Sequence, residues 1–211
     1  MGGEEMKLLL ENWRKYLAES LKGGFKYLSA SPWDDNAAKQ EWGEEIRPTL
    51  EEGDDYIKQR WPGLSTEIIK EEYPYLLSGE EFASALSSSP IKNLSLPEMK
   101  KIHNHAQVYD IIEMYENDKT SEEVHEATYK DFKGRTTDPD ASGKTYPKES
   151  SYQRWVDKFA KSNTVDKPSV VLILPDGSFA HVSGQTRQTG ALTNKKIVPY
   201  AVLSPTKEEK K

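Results

Sequence analysis

Ser183, Gly184, Gln185, Thr186 and Arg187 stand in a row where an apolar strand pattern gives way to a helical one. The first turn of a helix carries backbone N–H groups that have no intrahelical acceptor. Here they come with a glycine that permits close approach, two hydroxyls and a guanidinium. Such a group of donors suits an anion, above all a phosphate. Ser183, Gly184, Thr186 and Arg187 are therefore the candidate phosphate ligands. Two neighbours are candidates for chemistry: His181 as a general base, if strand alternation aims it at the pocket, and Gln185, which could read a base or position a water. The plainer reading of the same residues is a capped helix whose Arg187 pairs with a surface carboxylate.

These residues need a scaffold, and the flanking sequence supplies one. Val170 to Leu174 is an apolar run, Pro175-Asp176-Gly177 is a turn, and Ser178 to Val182 is a second run, which together read as a β-hairpin. Gly177 supplies the positive φ of the turn, and Asp176 belongs to turn geometry. The spacing predicts a short helix from Ser183-Gly184 to about Leu192 and a buried strand from Ile197 to Leu203. Ser151 to Ser162 reads as a preceding helix, with Tyr152, Trp155, Val156 and Phe159 on one face.

The order helix, strand, turn, strand, Gly-x-x-Arg helix, strand resembles the ParB/sulfiredoxin-like superfamily, often described as ParB-like nuclease domains, over about residues 150–205. Lys167-Pro168-Ser169-Val170-Val171, Gly184-Gln185-Thr186-Arg187 and Lys195-Lys196 carry the likeness. It implies an αββαβ unit whose helix start binds the phosphates of a nucleotide or of a nucleic acid backbone. A nucleoside triphosphate with Mg²⁺ is the cofactor it would bring. The departures narrow the chemistry. ParB proteins carry Gly-Glu-Arg-Arg at this helix start, where Gln185 here replaces the acid and Thr186 the first arginine. Sulfiredoxins place their essential cysteine where Gln185 stands, and this chain contains none, so that chemistry is excluded. An amide cannot act as a carboxylate base. Phosphate binding through Gly184, Thr186 and Arg187 survives both substitutions. The alternatives are a ParB-like nuclease or nucleotide hydrolase, drawing on His181 or a distant Glu, and a non-catalytic virion or protein-interaction module.

Charge is unevenly spread along the chain. The net charge is −6, yet residues 141–211 hold 12 Lys/Arg against 6 Asp/Glu, and the first 140 hold 17 against 29. So acidic a chain is a poor nonspecific DNA binder, while the basic C-terminal part could hold a nucleotide or nucleic acid locally. With 35% hydrophobic and 30% charged residues the core must be modest. Without cysteine there is no disulfide, thiolate nucleophile or cysteine-ligated metal. The longest apolar runs, about seven residues, are too short to cross a bilayer, so no membrane partner is expected.

The first 135 residues read as acidic and mostly helical. Residues 29–55 look like loop with one short helical piece, anchored by Trp33 and Trp42. Arg60 to Leu64 is a turn, Ser65 caps a helix from Thr66 to about Tyr73, and Gly79 to Leu86 is another. Ser95 and Glu98 form a capping box for a helix expected to run to Tyr115, with Met99, Ile102, Ala106, Tyr109 and Ile112 as its stripe. His103 and His105 on such a helix would point about 200° apart and could not share a metal ion. Residues 116–150 are the linker candidate, centred on 136–150. Paired acids such as Glu51-Glu52 and Glu71-Glu72 read as solvated faces, not Mg²⁺ sites.

Met6 to Leu21 is an amphipathic helix pattern ended by Gly23-Gly24. It closes on Leu17-Ala18-Glu19, which resembles the capsid-targeting segments of T4-like phages, and Leu9 to Leu17 resembles the starts of small marine myovirus proteins. The likeness implies a phage-type accessory protein in the host cytoplasm, with head proteins as partners if it is packaged in the head. The expected architecture is α+β: an N-terminal helix (1–28), an acidic, mostly helical region (29–135), a linker (136–150), the ParB/sulfiredoxin-like unit (151–205) and a disordered tail (206–211). Helices from residues 60–115 are expected to cover one face of the small sheet.

Overall fold

The computed structural model describes residues 24–136 and 144–206. The N-terminal helix, its capsid-targeting likeness and the tail from 207 onward lie outside them. Strands β1 (Lys26–Tyr27) and β2 (Ser29–Ala30) lead into α1 (Asp35–Glu41), a π turn (Trp42–Ile46), α2 (Arg47–Glu51), α3 (Asp54–Arg60), α4 (Thr66–Glu72) and α5 (Gly79–Ser88). Next come β3 (Ile91–Lys92), α6 (Leu96–Met99), β4 (Ile102–His103), α7 (Ala106–Glu116) and α8 (Ser121–Phe132). The C-terminal part holds α9 (Lys148–Lys161), β5 (Thr164–Val165), β6 (Ser169–Ile173), β7 (Phe179–Ser183), α10 (Gln185–Thr193), β8 (Lys196–Ile197) and β9 (Tyr200–Leu203). The fold is α+β.

A five-stranded sheet, in the order β3-β9-β6-β7-β4, lies at the centre. β6 and β7 form the expected antiparallel hairpin, from Val170 opposite Ser183 to Ile173 opposite Phe179. Its turn is closed by the Gly177 N–H donating to the Leu174 carbonyl at 2.8 Å, and Asp176 Oδ1 accepts from the Ser178 N–H at 2.9 Å. β9 runs parallel to β6 and closes the unit. The two edges are β3 and β4, which come from the first half of the chain.

The two-residue period of the strands divides the core. Val170, Leu172, Leu174, Ala180, Val182, Ala201 and Leu203 share one cluster with Ile46, Ile57, Trp61, Ile69, Tyr73 and Phe82 of the helices before residue 88. Val171, Tyr200 and Val202 face the other way, against Met99, Ile102, Val108, Ile111 and Ile112. Each fully buried aliphatic side chain here contributes roughly 1.5–3 kcal/mol relative to exposure. Both sheet faces are therefore covered, not one. That explains how so short a sheet is stable.

Several local expectations need correction. The Ser95–Glu98 capping box is present, but it opens a helix of only four residues. The chain then pairs β4 with the outer edge of β7, Ile102 beside Phe179 and His103 beside Ala180, and turns at Asn104 with φ 59° before α7 begins. The apolar spacing runs on across this break, so periodicity alone could not reveal it, and edge pairing prevailed over helix propensity. Within the presumed linker, Thr120 and Glu123 form a second capping box that starts α8, which buries Val124, Thr128 and Phe132 at four-residue spacing. Thr136 and Pro147, within the linker candidate, form an isolated antiparallel bridge. Residues 29–55 are more helical than expected, and Asp34 caps α1 by accepting from the Ala37 N–H at 2.8 Å. Pro199 divides the last strand in two, and its carbonyl accepts from the Ser169 N–H at 2.8 Å.

α9 and α10 pack unusually closely. A Cβ placed on Gly190 would lie 2.6 Å from the Cβ of Trp155 and 3.1 Å from the backbone of Trp155 and Val156. Backbone cannot move aside as a flexible side chain can, so Gly190→Ala should cost about 1–3 kcal/mol of unfolding free energy, as overpacked cores do. Urea titration checks this; an unchanged midpoint would mean that the helices are not held this close.

Candidate functional site

β7 ends at Ser183 and α10 starts at Gln185, with Gly184 between them at φ 94° and ψ 14°, the left-handed region. Only glycine adopts this at little cost. Space enforces the same choice: a Cβ on Gly184 would lie 2.7 Å from Arg187 Nη2, 2.8 Å from Ser169 Oγ and 3.1 Å from Ser169 Cα. Among the described residues no side chain caps the helix. Gly184 O accepts from the Gln188 N–H at 2.9 Å, the first backbone hydrogen bond of the helix. Among the described residues the N–H groups of Gln185, Thr186 and Arg187 meet no protein acceptor, as in the first turn of any uncapped helix.

Arg187 is only 8% exposed. Its Nη2 donates to the Pro168 carbonyl at 2.8 Å, and its guanidinium carbon lies 5.5 Å from the centre of the Trp155 ring. Nε is sealed without a hydrogen-bond partner among the described residues. Burial lowers the pKa of Arg187, opposed by the fields of Glu41 and Asp166. The expected alternative, a surface ion pair, is not what holds this side chain.

A cleft of about 400 Å³ opens over this junction, in the range of small-ligand sites. Gly184, Gln185, Thr186, Arg187 and His181 line it, together with residues from four other parts of the chain: Glu45 of the π turn, Tyr56, Gln59 and Arg60 of α3, Asn104, and Lys148 and Trp155 of α9. Ser183 does not line it. It is a buried residue of the sheet, opposite Val170. Gln185 donates from Nε2 to Gln107 Oε1 at 2.5 Å, so one of its amide hydrogens is committed to α7.

His181 is half-buried in the cleft wall, and its Nε2 is sealed and, among the described residues, unpaired. Its ring lies 4.8 Å from that of His105. Burial, then the proximity of His105 and Arg60, holds its pKa well below the usual imidazole value. His105 is fully buried, with Nε2 3.1 Å from the Tyr200 hydroxyl, and burial pushes its pKa down to about 3. His103 is exposed and sits 3.2 Å from Ser178 Oγ. The two histidines are separated by a strand end and a turn, not carried on one helix. Among the described residues no three His, Asp or Glu side chains are grouped to hold a metal ion.

The sequence reading missed the far wall of the cleft. Glu45, Tyr56, Arg60, Asn104 and Lys148 lie 35 or more residues from the Gly184 junction, and nothing in their local sequence marks them. Trp155 was placed on an apolar helix face, which is where it packs on Phe159 at 5.6 Å. Glu41, one turn before Glu45, is pushed up to about 7 by burial and then by Glu45, against the opposing fields of Arg187 and Lys167. Comparison with protein-family models, with curated proteins and with solved structures gives no match.

The titrating groups near the cleft make a pH prediction. His105 and His181 stay neutral in the fold but charge in the unfolded chain, so stability falls as pH drops below about 6.5. Glu41 works the other way: the folded state binds its proton first, adding stability as pH falls from about 7 towards 4.5. Each group contributes at most about 1.4 kcal/mol per pH unit. Glu41→Gln should therefore lose stability faster than the parent between pH 6.5 and 5, measured by urea denaturation at both values. Equal slopes would show that Glu41 is not protonated ahead of the unfolded chain.

Proposed function

We propose that this chain binds a phosphate-bearing ligand, a nucleotide or a nucleic acid, at the start of α10. One observation carries the reading: a nearly buried Arg187, anchored through Nη2, borders a cleft at a helix start whose first N–H groups have no acceptor among the described residues. Lys148 and Arg60 add positive charge to the same cleft, and the rings of Tyr56 and Trp155 offer apolar surface for a base. Arg187 supplies a charge-assisted contact, Gly184 leaves room for that guanidinium beside the helix start, and Thr186 offers a hydroxyl. A ParB-like origin of the site accords with the hairpin-to-helix order, and a phage-type accessory role in the host cell or phage head accords with Leu17-Ala18-Glu19. Among the described residues no helix is long and apolar enough to cross a membrane.

Nucleotide hydrolysis is the second reading. Glu45 borders the same cleft and offers a carboxylate, which Gln185 cannot supply.

Thermal unfolding with ATP and with short single- and double-stranded DNA, each with and without Mg²⁺, tests binding. A ligand at ~100 times its dissociation constant stabilises the fold by about 2.7 kcal/mol. Arg187→Ala should abolish that shift, and Arg187→Lys, which keeps charge without the planar fork, should retain part of it. Circular dichroism establishes that both variants are folded. A shift that persists in folded Arg187→Ala would sink the assignment.

A further inference from the structure

Among the described residues three cations line the cleft, Arg60, Lys148 and Arg187, against one carboxylate, Glu45. That carboxylate is ion-paired with Arg60 through Nη2, and the pair is sheltered: 19% of the arginine side chain and 32% of the glutamate side chain are exposed. The same Nη2 lies 3.5 Å from the carbonyl of Val182, on the strand that delivers Ser183 and Gly184. Asn104 pins the end of α3 by donating from Nδ2 to the Gln59 carbonyl at 3.1 Å and to that of Arg60. Both Arg60 and Arg187 act electrostatically on His181. The two guanidiniums share this cleft with His181. One is held by a main-chain carbonyl and the other by a carboxylate.

A carboxylate and a phosphate present the same pair of oxygens to a guanidinium fork. Glu45 Oε2 takes the Nη2 donor of Arg60 that a phosphate oxygen would take. Its supporting turn is a π segment, a local widening of the helix that is common at functional sites. We infer that Arg60 is a second phosphate-binding residue of this cleft, and that Glu45 holds its place until an anion displaces it. The inference rests on the phosphate reading above and adds a residue and a competition to it. A phosphate seated on α10 adds negative charge beside Glu45, which weakens the carboxylate's hold on Arg60 as the ligand gains it. The device also discriminates: a ligand with a single weak charge cannot outcompete the internal carboxylate, whereas a di- or triphosphate can.

Isothermal titration of the full chain with inorganic pyrophosphate and with ATP, without metal, tests the competition. Glu45→Gln keeps the shape and removes the competing charge, so it should bind both probes about tenfold tighter. Arg60→Gln should bind them about tenfold weaker, and in the double variant the gain from Glu45→Gln should vanish. Urea denaturation establishes that each variant is folded; Glu45→Asp, which shortens the side chain and keeps the charge, should show no such gain. Binding by the parent with no gain in Glu45→Gln overturns this inference and leaves the phosphate reading standing. A gain that persists when Arg60 is replaced also overturns it. No binding by either the parent or Glu45→Gln overturns both.

Discussion

The charge of Arg187, carried under the surface at the start of a helix, is the constraint on which the rest of the site depends. Taking a guanidinium out of water is costly unless its donors and its field are met. Here the Pro168 carbonyl, the Trp155 ring and the fields of Glu41 and Asp166 meet them in part. Each partner belongs to a different element, so the lead into β6, helix α9 and helix α1 must all be in place before the charge is tolerated. Gly190 lets α9 approach until Trp155 reaches the guanidinium, and Gly184 leaves the volume that Nη2 occupies. Two glycines and one arginine thus tie helix packing to the geometry of the cleft.

The sheet gives this arrangement its rigidity. β6 is buried on both faces, and its alternating side chains enter two separate cores, one built by the helices before residue 88 and the other by α6 to α8. The first half of the chain also supplies both sheet edges, and β1 and β2 pair with β8 and β5. The acidic half is therefore structural support for the basic one, and it contributes Glu45, Tyr56, Arg60 and Asn104 to the cleft. Opposed net charges on the two halves favour that association.

How much of this was legible in the sequence differs by element. The hairpin, its Asp-Gly turn and the Gly184 junction were legible because their signals are local: an apolar run, a turn residue with a required φ, a helix start. The break after Met99 was not, because the apolar spacing continues through it and only pairing with β7 reveals β4. Helix α8 was hidden among charges, since three buried positions carry it. For the site, the near wall was readable and the far wall was not. Ser183 illustrates the limit: its type and place fitted a phosphate ligand, yet strand alternation buries it in the sheet. Arg60 illustrates the converse, a functional position with no motif, brought in by tertiary packing alone.

The N–H groups at the start of α10, without an acceptor among the described residues, are read directly by two-dimensional ¹H–¹⁵N NMR of the full chain titrated with ATP. The account predicts that the amide signals of Gly184, Gln185, Thr186 and Arg187 move first and furthest, with Arg60 and Lys148 following. Binding that moves other amides while leaving those four in place would contradict it.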